Sequence, residues 1–360
     1  MRRPALAGHP AGVFFALAAM FAVILPWLWL LPLDDPRMAH LRLGIFGFGG
    51  AAVAGYVLTA QRAWTGRDAP LPAPLLGGLC LCTRLLALPA PDLVLALLPQ
   101  GVVALAVLWP IIATRKWIRL PLAATPMVLV MAEGATVAGL LPVAPLPLAM
   151  AGLILIVGGR ALPRFLVAEG ERTGISIRAP LPLWTGAALA TAGILLPGPA
   201  GAGLLVGTAL WVGLRASGGL KAGRANQMLC LGYAGLVPAL LGLVAMRSGL
   251  LPDLAATHLL TMGAMGPMIL AFAARASMRR PARGLLLPQR RQWLALVLIA
   301  GSTLARVLAE RAADPAPAMT WAGLGWSAAW MVFLSVHLAA LRQPTPFPVL
   351  SASRADQAAS

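Results

Sequence analysis

Twelve runs of about 20 apolar residues, each long enough to cross a bilayer, dictate what this chain is able to fold into. They span 11–33, 41–60, 71–89, 93–113, 120–141, 145–163, 180–197, 200–216, 226–246, 254–275, 292–309 and 319–341. The connections between them are too short to hold a water-soluble domain. In hydrocarbon the main-chain polar groups must bond within the protein, and a helix does this residue by residue. Charged residues make up 11% of the 360, against about 25% in a soluble domain, which places the chain in a membrane. The expected fold is therefore all-α: a polytopic bundle of about twelve transmembrane helices. Residues 1–345 form a single transmembrane domain, and 346–360 are a short tail. The turn at Pro197-Gly198-Pro199 closes spans seven and eight into a tight hairpin. Six-plus-six halves are compatible with the count, but no internal sequence repeat supports them.

The net charge of +17 first suggests nucleic acid as a partner. Its distribution excludes that. The arginines and lysines fall between apolar spans, in groups such as Arg115, Lys116, Arg119 and Arg275, Arg279, Arg280, Arg283, so they act as topology signals. The opposite loops are short and carry Asp34, Asp35, Asp92, Asp253 and Asp314. Cytoplasmic loops hold the excess of basic residues, so both termini are expected in the cytoplasm. The first span is followed by Asp34-Asp35 rather than a small-residue cleavage site, so no cleavable signal peptide is expected. Three cysteines make no disulfide framework, and Cys80 and Cys82 read as packing residues inside an apolar run.

Polar residues inside the spans are the candidates for function. Residues 257–279 put His258, Met262 and Met265 on one face at helical spacing. Imidazole and thioether form a soft ligand set suited to copper or a haem iron. Read blandly, His258 is an interfacial histidine bonded to a neighbouring helix. With the expected topology, His40, His258, Arg42, Arg84, Arg306 and Glu133 all lie in the outer half of the bundle. One reading is a polar or cofactor pocket, with histidines as ligands and arginines pairing with haem propionates. The other is snorkelling at the interface, with Glu133 bonded to one of the arginines. His9 and His337 fall on the cytoplasmic side and read as interfacial.

Several segments resemble the NnrS family. They are His40-Leu-Arg-Leu-Gly-Ile-Phe-Gly-Phe48 with its continuation to Arg67, Gly158-Gly-Arg-Ala-Leu-Pro163-Arg-Phe165, Leu231-Gly-Tyr-Ala234, and His258-Leu-Leu-Thr-Met-Gly-Ala-Met-Gly266 through Arg275. They stand in the family's order between about residues 10 and 345. The resemblance implies a twelve-span, multi-pass protein of the bacterial inner membrane that binds haem and copper and acts in nitric oxide metabolism and relief of nitrosative stress. It implies histidine ligands, of which His40 and His258 carry over. Met262 joins them as a soft ligand and Arg84 as a propionate partner. Arg42, Cys230 and Arg280 stand where the family often has further histidines, and Leu43 and Gly44 where it often has Glu and Met. Cys230 is then a weak metal ligand or a packing residue. Two histidines suit one bis-histidine haem, one haem with an open position, one copper, or a relative that has lost its cofactors.

A different class of function also fits. Twelve spans, proline-broken helices and an intramembrane acid suit a cofactor-free, proton-coupled transporter of a small solute, with Glu133 as proton carrier. A purely structural subunit is the third reading. No phosphate-binding loop, His-Glu-x-x-His, paired Cys-x-x-Cys or nucleophile elbow occurs. The sequence names no electron donor and leaves open whether the protein is an enzyme. The lipid bilayer is its one legible partner.

Overall fold

The computed structural model describes residues 5–89, 92–174, 182–279 and 285–343. Several expected topology charges (Arg2, Arg3, Arg178, Arg280, Arg283, Arg354), the Arg172 side chain and the tail lie outside the described residues.

Among the described residues ten helical segments are long and apolar enough to cross a membrane, and two more are apolar but shorter. In chain order they are α1 (Pro10–Leu30), α2 (Pro36–Thr65), α3 (Ala73–Leu86, short), α4 (Leu93–Ala113), α5 (Trp117–Val137), α6 (Leu146–Glu171), α7 (Leu183–Leu195, short), α8 (Gly198–Lys221), α9 (Arg224–Arg247), α10 (Asp253–Ser277), α11 (Arg290–Ala309) and α12 (Ala316–Leu341). The protein is thus an all-α, polytopic helical membrane protein. Each expected span meets one helical segment. Spans three and seven are the two that fall short of membrane length.

Apolar stripes on the outside mark lipid-facing surfaces. Leu105, Trp109 and Ile112 stand exposed at helical spacing on α4, as do Val297, Leu304 and Leu308 on α11. The caps follow local chemistry. Asp35 and Asp92 accept the Met38 and Leu95 amides at the starts of α2 and α4. His9 accepts the Ala11 amide at the start of α1. Short α7 ends on exposed carbonyls, and Arg247 of α9 answers them: Nη1 bonds the Gly193 carbonyl at 2.6 Å and Nη2 the Ile194 carbonyl at 2.7 Å. Gly198, at φ +64°, then turns the chain into α8, a conformation that suits glycine.

The chain packs as two units. One holds residues up to Pro145 together with the end of α12 from Trp330; the other holds Leu146–Ala329. The boundary falls between α5 and α6. Each unit contains one seven-residue π-helical stretch: Leu43–Gly49 within α2 and Leu259–Met265 within α10. In α10 the reason lies in Gly266-Pro267. Pro267 has no N–H to give the Gly263 carbonyl, so the ordinary ladder fails just upstream. In α2 the run holds Gly44, Gly47 and Gly49, with Gly50 following at once, all weak helix formers. There Gln100 of α4, 2% exposed, donates Nε2 to the Phe46 carbonyl at 3.2 Å.

Candidate functional site

The first unit gathers three charges at one end. Arg42 lies six residues into α2, Arg84 two before the end of α3, and Glu133 four before the end of α5. Glu133 is fully buried, and both its oxygens are bonded by Arg84, Nη1 to Oε1 and Nη2 to Oε2, the latter at 2.7 Å. This is the bidentate fork of guanidinium on carboxylate. Arg42 Nη2 stands 3.6 Å from Glu133 Oε1. Arg306, expected at the same level, instead pairs with Glu310, four residues on and just past the end of α11.

His40, two residues before Arg42, is half-buried. Its Nδ1 lies 3.0 Å from the Leu25 carbonyl, and its ring lies 5.8 Å from that of Trp29. His258, in the second unit, is also half-buried, with Nδ1 2.8 Å from the Leu254 carbonyl one turn back. A carbonyl only accepts, so each Nδ1 carries a proton toward it. Metal-ligating histidines are commonly fixed in this way. Met262 and Met265 lie in the Leu259–Met265 π stretch, where bonds run from i to i+5; Met265 is buried, and Met262, like His258, is half-buried.

The second unit holds a polar network whose acid sequence reasoning missed. Ending the sixth span at residue 163 left Glu169 in a loop, whereas α6 runs on and buries it. Glu169 accepts the Gly223 amide at Oε1 and Asn226 Nδ2 at Oε2, the latter at 2.5 Å. Asn226 in turn accepts Arg275 Nη1 at 2.9 Å, and the Arg275 guanidinium lies 4.0 Å from the centre of the Phe165 ring. Arg215 donates to the Gly159 carbonyl and stacks on Trp211. Arg275, read from sequence as a topology charge at the end of its span, is therefore buried, and so is Arg215. The available signal was spacing: Glu169 follows buried Leu162, Phe165 and Leu166 on one helical face.

His337 differs from its interfacial reading. His337 is fully buried in α12; its Nε2 lies 2.9 Å from the Gly12 carbonyl and its ring stacks on Phe333. His9, just outside α1, has its pKa pushed down to about 4, chiefly by burial; Asp68 pulls it up and Arg62 pushes it further down. Cys80 and Cys230 are buried free thiols. A glycine, Gly235 of α9, brings its Cα against α10: a Cβ there would stand 2.3 Å from the Gly263 carbonyl oxygen, inside the π stretch.

Among the described residues no three or more His, Cys, Asp or Glu side chains gather in a way that holds a metal ion. This donor set does not fit a copper ion held by three such side chains. A haem iron, to which the macrocycle supplies four nitrogens, needs only one or two protein ligands. A comparison with curated proteins gives no match. The family model described as "NnrS protein" matches residues 6–345, nearly the whole chain, and the chain therefore belongs to the NnrS family.

Proposed function

We propose that this NnrS-family membrane protein binds haem and acts in nitric oxide metabolism or resistance to nitrosative stress. The observation that carries the reading is the pair of histidines whose Nδ1 atoms are tied to main-chain carbonyls. His40 in the first unit and His258 in the second would each serve as an imidazole ligand to a haem iron. Bound haem supplies an iron with affinity for nitric oxide. The chain's own part is to hold each imidazole in one tautomer, to surround it with apolar helices, and to keep a soft side chain, Met262, four residues from His258. Arg84 is less suited to a propionate than the sequence suggests, because Glu133 occupies its fork. Copper remains a minor element of the reading, with Met262 and Cys230 as its soft donors.

The finer topology belongs to the same proposal: twelve crossings including short α3 and α7, one transmembrane domain over 1–345, both termini in the cytoplasm, and residence in the bacterial inner membrane. Basic loops support the orientation. The cofactor-free transporter has no specific observation in its favour, since Glu133 gives both oxygens to Arg84 and a proton must first break that pair.

The test is the optical spectrum and metal content of detergent-purified protein, oxidised and reduced, for wild type, His40→Ala and His258→Ala. Haem in the wild type, lost in the variants, is the expected result. Unchanged haem content in both variants overturns the ligand assignment. Colourless, metal-free protein from haem-replete cells overturns the cofactor itself.

A further inference from the structure

One carboxylate serves two buried arginines in the first unit. Arg84 takes both oxygens of Glu133. Arg42 is 6% exposed, and its Nη1 reaches the Ala87 carbonyl only at 3.5 Å. Its Nε and Nη2 are buried and make no hydrogen bond; the 3.6 Å gap from Nη2 to Glu133 is attraction without one. Asp92, whose charge also acts on Arg42, is exposed and holds the Leu95 amide.

The two unmet nitrogens are not an arbitrary pair. In a guanidinium, Nε–H and one N–H of Nη2 lie parallel on one edge of the plane. That edge is the fork that grips two coplanar oxygens. A buried cation with its fork unmet is costly, and a fitting anion removes both the missing hydrogen bonds and the excess charge. The position is also shallow. Arg42, Arg84 and Glu133 each lie within six residues of a segment end, which at about 1.5 Å per residue is roughly 10 Å or less.

We propose that the Nε/Nη2 edge of Arg42 is the receptor for a carboxylate-type anion, singly charged and with two coplanar oxygens. The anion is either a small free carboxylate or the carboxylate arm of a larger bound group. Chloride, a sphere, has no pair of oxygens for the fork and binds weakly. The proposal does not rest on the haem reading, because the unmet edge belongs to the protein alone.

The experiment measures the thermal midpoint of purified full-length protein against sodium formate, with ionic strength held constant by chloride. It compares wild type, Arg42→Gln and Arg42→Lys, and records haem content in each sample. Formate is expected to raise the wild-type midpoint in a saturable way and to lose at least tenfold in apparent affinity in both variants. Arg42→Lys keeps the charge without the fork and carries the test if Arg42→Gln fails to fold. Formate binding in haem-free and haem-loaded protein alike identifies a free-anion site. Binding in haem-free protein that haem loading abolishes identifies the carboxylate arm of the bound group. A wild-type midpoint that ignores formate in both forms, or a response retained in Arg42→Lys, overturns the proposal. Absence of haem from every sample defeats the haem reading and leaves this one standing.

Discussion

Glu133→Gln is the substitution that weighs most on the first unit. It keeps the shape of the side chain and removes its charge. The new amide accepts a bond from Arg84 through its oxygen, but its NH₂ confronts the other arginine nitrogen, donor to donor. Arg84 and Arg42, 4% and 6% exposed, then remain buried with no anion between them. Removing one member of a buried ion pair costs about 3–5 kcal/mol. The bidentate geometry and full burial of Glu133 place the expected loss in that range. Arg84→Met should cost less, about 2 kcal/mol, because Arg42 at 3.6 Å is able to close onto the carboxylate. The double variant should cost less than the sum of the two, since the groups touch. Equilibrium unfolding in mixed detergent micelles reads all three. An exposed ion pair contributes only about 0–1 kcal/mol. A Glu133→Gln loss under about 0.5 kcal/mol would therefore refute the reading of this triad as sealed from water.

Three further expectations follow from the same geometry. Asn226→Leu removes the bridge between Glu169 and Arg275, leaves both charges buried, and should lower the unfolding free energy by about 2–4 kcal/mol; a loss below about 0.5 kcal/mol contradicts the network. Gly235→Ala drives a methyl against the Gly263 carbonyl and should destabilise by about 1–3 kcal/mol, with haem content falling if the π stretch holds His258 in place; a neutral variant means the contact is slack. His9 is depressed from 6.5 to about 4 in the folded protein. The unfolded chain therefore binds the extra proton first, and stability falls as pH drops from 6.5 towards 4, by at most about 3.4 kcal/mol at 1.36 per pH unit. His9→Asn keeps a capping side chain and should flatten that slope; an unchanged pH profile means that His9 is solvated.

Sequence alone determined the class of the fold and the family. Membrane-length apolar runs repeat throughout the chain, and no soluble architecture hides that much hydrophobic surface, so an all-α membrane protein was legible from the start. The family segments around His40 and His258 were legible because they are contiguous. The tertiary structure decided which polar residues meet. Arg42, Arg84 and Glu133 sit on three different segments, and sequence distance carries no signal for a contact made by packing. It also decided that Arg215 and Arg275 turn inward, because a charge near a span end satisfies the topology pattern equally whether it faces lipid headgroups or a buried carbonyl. Glu169 was hidden by a span that stops at residue 163, eight residues before the end of α6. The π stretches had only faint precursors, Gly266-Pro267 and a run of glycines, because the winding depends on partners such as Gln100 that lie far away in the chain. Hydrophobic burial is written in composition and period; the pairing of buried charges exists only once the helices have been laid side by side.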